Sequence, residues 1–438
     1  VLGAFFYLLI GERFIGTRRT RRLAAAHARI LEWTQAMPAQ GQIADESLRP
    51  GALELSRLAC SWDHPPPLAG NGVEFLETAS HAFDRMLGDI RGARRTCHLE
   101  FYIVEDSGRV REILDALAAA AARGVACRLL VDALGSRRFV GSGRARQLAR
   151  LGVEVRASLP FGRLRRPGAR LDLRNHRKLL VVDSEVAHMG SLNLVDPKFE
   201  RRRRGAPPGV DAMVRLRGPA VSVLAAGFWA DWILESDAEP ETLLPANPPP
   251  HQPPAGDVPV QVIATGPNDP PERLLQLLVR IIHTARARLV ICTPYFVPDT
   301  VVRHALLHAA RTGVDVRLIV PRRADHRFVQ WVTESYHDEL LAAGVQVFRH
   351  APGFLHTKCV LVDDDIILFG SMNLDMRSVW LNFETGVLLF GADVGARGAA
   401  LLETYERESS RLEATAWRRR PWLTRIRARV ARLFAPLL

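Results

Sequence analysis

Within one chain of 438 residues the pattern His-x-Lys-x4-Asp-x6-Gly-Ser-x-Asn occurs twice, and the copies share every offset. The first is His176, Lys178, Asp183, Gly190, Ser191 and Asn193; the second is His356, Lys358, Asp363, Gly370, Ser371 and Asn373. Repetition of this kind requires two equivalent structural units, and it has to be recognised before any local motif is read. The surrounding sequence repeats as well. Residues 96–104 read as a buried strand, 109–123 as a helix stopped by Gly124, and 126–132 as the next strand. Residues 288–297, 300–311, Gly313 and 315–321 give the same order again. Strands alternating with helices of this length indicate βαβ units and a parallel or mixed sheet. The chain therefore reads as a duplicated α/β domain.

Proline-rich stretches set the boundaries. Residues 61–72 carry Pro65, Pro66 and Pro67, and residues 240–256 carry seven prolines, enough to block both helix and central strand. The expected organisation has six parts. Residues 1–22 form the end of a transmembrane helix with a basic flank, 23–70 a helical and linker region, and 71–239 the first half. Residues 240–257 form a linker, 258–416 the second half, and 417–438 a basic amphipathic helix.

The first assignment rests on an uncharged, Phe- and Leu-rich stretch from 1 to 11, followed by Arg13, Arg18, Arg19, Arg21 and Arg22. Eleven residues are too few to cross a bilayer, which takes about 20. Basic residues after an apolar stretch put the following segment on the cytoplasmic side. A buried N-terminal helix or a signal-peptide remnant is the alternative, and a first residue of Val1 leads one to expect sequence upstream. At the other end, seven arginines and no acid follow Trp417, with Ile426, Val430, Leu433, Phe434 and Leu437 at helical spacing. Such a helix can lie in a lipid headgroup layer or dock its apolar side on the protein body.

A net charge of +12 suits an anionic partner, either nucleic acid or an acidic membrane. The run Arg201 to Arg204 reads as a solvated loop. Five scattered cysteines without a CxxC exclude a disulfide framework or structural zinc site and fit a reducing compartment.

The repeated residues define a chemistry. If 176–182 and 356–362 are strands, each His and Lys, two apart, share a face. Asp183-Ser184 and Asp363-Asp364 are turn formers, and 186–189 and 366–369 return as hairpin partners. Gly190 and Gly370 would let the backbone approach a ligand, with Ser191, Asn193, Ser371 and Asn373 as neutral donors to its phosphate. Two imidazoles, two ammonium groups and these donors suit a phosphodiester. One neutral His attacks phosphorus and the other, protonated, serves the leaving oxygen. A close pair should titrate together, with one imidazole neutral and one charged near neutrality. The scheme calls for no metal and no other cofactor.

The paired motifs resemble those of the phospholipase D superfamily. The flanking text is similar to that of two-motif bacterial cardiolipin synthases, notably residues 172–178, 190–197, 294–298, 354–358, 373–378, 380–384 and 434–438. The resemblance implies a duplicated α/β/α sandwich with two pseudo-symmetric halves, the active site at their interface, and an N-terminal membrane segment. It also implies that His176, Lys178, Asp183, His356, Lys358 and Asp363 are the active-site residues, although the motif Asp is often structural in the superfamily. Acids at Asp211 and Glu384 would orient the histidines, though Val210 stands where the family usually has Trp. The implied reaction moves a phosphatidyl group from one phosphatidylglycerol to another, through a phosphatidyl-histidine, at an anionic inner membrane with the catalytic domain on the cytoplasmic side. Nucleic acid is not the expected partner. The rival readings are a phospholipase D-type hydrolase of phospholipids or other phosphodiesters and a non-catalytic lipid-binding scaffold.

Overall fold

A computed structural model describes residues 48–160, 172–198, 208–236, 240–243 and 249–435 except 268 and 271, with eight further positions between 19 and 33. The first half contributes β1 (Leu68–Leu76), β2 (Thr96–Phe101), β3 (Ala126–Asp132), β4 (Glu154–Ser158), β5 (Arg174–Asn175), β6 (Lys178–Val182), β7 (Val186–Gly190), β8 (Gly209–Val210) and β9 (Met213–Arg217). The second contributes β10 (Val258–Thr265), β11 (Arg288–Cys292), β12 (Phe296–Val297), β13 (Asp315–Pro321), β14 (Gln346–His350) and β15 (Phe354–Leu355). It continues with β16 (Cys359–Val362), β17 (Ile366–Gly370), β18 (Leu374–Asp375), β19 (Asn382–Phe390) and β20 (Ser409–Arg411).

Sixteen of these strands form one mixed sheet, and its order exposes the duplication. Outward from the centre, one side reads β1-β9-β7-β6-β2-β3-β4 and the other β10-β19-β17-β16-β11-β13-β14, with β20 added at the second edge. The halves join through the antiparallel pair β1–β10, where Leu68 faces Val260.

Both faces of the sheet are covered, which explains why its strands are continuous apolar runs rather than alternating ones. Leu180 and Val182 of β6 pack into a core with Phe83 and Leu114 from helices Ala79–Gly92 and Gly108–Ala122. Leu179 and Val181 face the opposite way, toward Val221 and Phe228 of helix Ala220–Leu234. Strand β16 repeats the division. Val360 and Val362 meet Leu277 and Leu306, while Leu361 joins the core that contains Phe228. Gly124 and Gly313 follow equivalent helices at φ +91° and +98°, a left-handed conformation that costs glycine little.

Several expectations need correction. The strand expected over 96–104 ends at Phe101 and that over 288–297 at Cys292, because each chain then crosses to the segment after a motif Asn. Val104 bridges Leu194, and Phe296 pairs with Leu374. The linker prolines do not exclude all helix, since Pro240–Leu243 is one helical turn with Pro at its first position, where no N–H is needed.

Most of the expected transmembrane tail, residues 1–18, and the run Arg201 to Arg204 lie outside the described residues. Among the described residues no helix is long and apolar enough to cross a membrane. Arg19 pairs with Glu235 at 2.8 Å and Arg22 donates to the Ile233 carbonyl, so these two arginines are committed to the protein body. None of the five cysteines forms a disulfide among the described residues.

At the C-terminus, helix Trp422–Arg432 docks on helix Arg327–Ala342 through Ala428 and Ala431, and it leaves its large apolar side chains exposed. Of the two arrangements left open by the sequence, docking uses the small residues.

Candidate active site

Each motif histidine sits just before its strand, not within it. The approach to His176 leaves its own sheet neighbours: β5 pairs in parallel with Asn382–Phe383 of the other half, and the His176 amide donates to the Phe383 carbonyl. The approach to His356 does the reverse. There β15 pairs with β8 of the first half, and the His356 amide donates to the Val210 carbonyl. Every motif is thus threaded against the opposite half, and this brings the two together.

The carboxylates cross over in the same way. His176 Nδ1 donates to both oxygens of Glu384 at 3.0 Å, and His356 Nδ1 donates to Asp211 Oδ1 at 2.7 Å. An ionised carboxylate only accepts, so it fixes the proton on Nδ1 and leaves each Nε2 as the reactive nitrogen. Val210, where the family usually has Trp, does not prevent Asp211 from reaching His356.

Lys178 and Lys358 each donate one hydrogen bond, at 2.6 Å, to the carbonyl of their own motif His. An ammonium has three donors, so two on each lysine remain for ligand oxygens. Tyr102 lies edge-on to His176, ring centroids 5.1 Å apart, with Lys178 Nζ 5.4 Å from its centroid.

Burial and mutual charge shape the titration. Burial, opposed by Glu384 and assisted by Lys178 and Lys358, lowers His176 to about 4. His356 is lowered by burial and by the two lysines, against Asp211. Burial lowers Lys358 to about 8; burial and neighbouring Lys358 bring Lys178 well below the usual lysine range. Burial alone would raise Glu384 and Asp211, but the partner histidines, lysines and serines outweigh it and hold both at about 2. Burial thus favours the neutral form of both imidazoles, against the expectation of one charged ring.

Four further assignments change. Ser191 Oγ donates to Asp211 at 2.7 Å and Ser371 Oγ to Glu384 at 2.5 Å, so these hydroxyl hydrogens are spent on the acids. Gly190 and Gly370 serve that contact. A Cβ on Gly190 would sit 2.5 Å from the Ala212 carbonyl oxygen, and one on Gly370 would strike that of Thr385, so the close approach is to a neighbouring strand and not to a ligand.

Asp183 and Asp363 lie at the far ends of β6 and β16, away from the histidines. Asp183 accepts from the amides of Arg94, Arg95 and Thr96, and Asp363 from those of Arg286, Ala287 and Arg288. They occupy tight turns with φ +55° and +47°, conformations that Asp tolerates better than most residues. These contacts tie each aspartate to backbone amides at a turn. Asn193 accepts from the Ile103 amide through Oδ1, whereas the buried Asn373 Oδ1 has no partner among the described residues.

Two residues not singled out from the sequence complete the cradle of Glu384. Ser378 Oγ donates at 2.7 Å and Asn382 Nδ2 at 3.1 Å. Both lie in the family-like stretches, but nothing local announces their shared acceptor. Among the described residues no group of three His, Cys, Asp or Glu side chains is arranged to hold a metal ion.

A family model described as "Cardiolipin synthase, PLD-like domain" matches residues 86–204 and 278–405, one motif in each stretch. Cardiolipin synthase A of Pectobacterium carotovorum subsp. carotovorum (strain PC1) is 36% identical over 442 residues, covering 100% of this chain and 90% of its own length. Cardiolipin synthase A of Yersinia pseudotuberculosis serotype IB (strain PB1/+) matches with the same identity and coverage. Among solved structures, phosphatidylserine synthase of Haemophilus influenzae Rd KW20 superposes with a TM-score of 0.64 at 17% identity, covering 88% of this chain and 100% of that one. That likeness is one of fold.

Proposed function

The chain belongs to the cardiolipin synthase, PLD-like domain family, and from that premise we propose that this phosphatidyl transferase makes cardiolipin from two molecules of phosphatidylglycerol. The observation that carries the reading is the crossed pairing of His176 with Glu384 and His356 with Asp211, which supports two Nε2 atoms facing one phosphorus.

His176 Nε2 attacks the phosphorus of the first phosphatidylglycerol. As the phosphorus–nitrogen bond forms, the bond to the terminal glycerol oxygen breaks, and that oxygen takes a proton from His356 Nε2 to leave as glycerol. The primary hydroxyl of the second phosphatidylglycerol then gives its proton back to His356 and attacks phosphorus, breaking the bond to His176. One phosphodiester replaces another, so no nucleotide is consumed. Lys178 and Lys358 neutralise the non-bridging oxygens. The arriving phosphodiester anion raises the imidazoles, and this lets His356 carry the proton the first step needs.

His176 is assigned as nucleophile because Glu384, itself held by three neutral donors, fixes its ring more firmly than Asp211 fixes His356. Residues 71–239 and 258–416 act as the two halves of this one site, on the cytoplasmic face of the inner membrane. Asn193 and Asn373 are left as the neutral donors nearest the substrate.

Acid quenching during turnover of phosphatidylglycerol labelled at phosphorus tests the scheme. The expected result is a phosphorylated peptide containing His176, with cardiolipin and glycerol as products. Phosphatidic acid as the main product would make the protein a hydrolase instead, and label on His356 would reverse the roles.

A further inference from the structure

Most of the large apolar side chains that the described residues expose lie together on one helix. In Trp422–Arg432 and the turn after it, Trp422, Leu423, Ile426, Val430 and Leu433 are between 47% and 78% exposed, whereas most other residues of this kind are buried. At 100° per residue these five fall within an arc of about 100°. The opposite face carries Ala428 and Ala431, whose small side chains let the helix lie close on helix Arg327–Ala342. Arg432 pairs with Glu339 and Arg420, just before the helix, with Asp338, so among the described residues these acids lie on the docked side.

The outward stripe is flanked by arginine on both edges. Arg425 and Arg429 lie along one edge without an ion-pair partner among the described residues, and Arg427 lies along the other with its guanidinium over Trp331. No acid follows Glu413. An apolar stripe between rows of arginine, backed by a small-residue docking face, matches a lipid interface: the apolar chains enter the acyl boundary and the guanidiniums reach acidic headgroups. A purely hydrophobic protein partner would leave those cations without counter-charge.

The stripe is also tied to the catalytic cleft. Phe434, at its end, packs against Phe328 with ring centroids 6.0 Å apart, on the first turn of helix Arg327–Ala342. Just before that turn, Asp325 accepts from the Tyr295 hydroxyl at 2.9 Å. Tyr295 stands 6.0 Å from Phe354, and Phe354 5.6 Å from His356. Ring contacts and one hydrogen bond, joined by the three-residue step from Phe328 to Asp325, thus lead from the exposed stripe to the imidazole.

We propose that this C-terminal helix is an interfacial anchor that seats the second-half side of the cleft on an anionic bilayer, so that lipid headgroups reach His356 past Phe354. The inference rests on the lipid-synthase reading for its substrate but not for its docking.

The test uses the full chain in vesicles of phosphatidylcholine with or without phosphatidylglycerol, carrying acyl chains brominated near the headgroup. The Trp422 signal is the difference from Trp422→Phe. The expected result is bromine quenching of that signal that strengthens with phosphatidylglycerol. In the triple variant Leu423→Ser, Ile426→Ser, Val430→Ser, turnover of vesicle-borne phosphatidylglycerol should fall about tenfold, with dispersed short-chain substrate turned over within about twofold of the parent. An unquenched Trp422, quenching indifferent to anionic lipid, a stripe covered by a second copy of the chain, or a triple variant as active on vesicles as the parent would each overturn the anchor. Quenching as expected, with no cardiolipin formed from either substrate, would support the anchor and remove the synthase reading.

Discussion

Glu384 and Asp211 perform the same service for histidines of opposite halves, but their surroundings differ. Glu384 receives Ser371, Ser378 and Asn382 besides His176, whereas Asp211 receives Ser191 besides His356. The asymmetry extends to the far ends of the motif strands, where the Asp363 carboxylate is paired with Arg49 in addition to three amides, while among the described residues the Asp183 carboxylate has the amides and no arginine. Duplication supplied two like sets of side chains, and in the proposed scheme the unequal packing around them is what would separate a fixed nucleophile from a proton carrier.

The most severe way to break that distinction is to remove the imidazoles one at a time. His176→Ala should abolish both turnover and the trapped phosphoryl-enzyme. His356→Ala should lose about 10²–10⁴-fold in turnover, the range for a general acid, while still forming some trapped enzyme. Equal losses, with trapping abolished only in the second variant, would invert the roles.

Neutralising the acids comes next. Glu384→Gln should lower kcat by about 10⁴-fold, as expected when a buried carboxylate that fixes a catalytic imidazole becomes an amide. Asp211→Asn should lose less, because the ring it holds only shuttles a proton. A larger loss for Asp211→Asn, measured in the same product assay, would show that the richer cradle of Glu384 has no catalytic meaning.

The pH profile sharpens the same comparison. Protonation of His176 near about 4 removes the nucleophile, so kcat/KM should fall on the acid side there. Toward alkaline pH, deprotonation of Lys358 at about 8 removes a charge from the non-bridging oxygens and should give a further loss. In Lys358→Arg the guanidinium stays charged, and whatever activity remains should lack that break. A break that persists in this variant belongs to another group.

The smallest effects on activity belong to the motif aspartates. Asp183→Ala and Asp363→Ala should each lower stability, at about 1–3 kcal/mol for every amide left buried and unpaired. The protein that remains folded should keep a near-normal KM. Denaturant midpoints measured beside the kinetics decide this, and the Asp363 variant should be the less stable because Arg49 also loses one of its two carboxylate partners, keeping Asp365.

How much of this could be read from residues alone varies by feature. The helix at 300–311 and the strands at 126–132 and 315–321 appear where their apolar runs and stop signals place them. Those signals are local, and no distant partner overrides them. The histidines are where local reading fails. Residues 174–177 and 354–358 have the text of strand starts, yet pairing with the opposite half pulls each chain out of its own sheet before the lysine. The serines fail for a related reason: a hydroxyl 15 positions after His176 looks available until Asp211 is brought against it.

By itself, then, the sequence determined two like units, their alternating strands and helices, and the residue types proposed to meet a phosphodiester, because each depends on periodicity and spacing within a few tens of residues. Which acid holds which histidine, which hydroxyls are spent on those acids, and that burial favours the neutral form of both imidazoles were decided by the tertiary structure. Hydrogen bonds between groups 145 and 208 positions apart, and the burial that shifts their charges, exist only once the two halves have closed on each other.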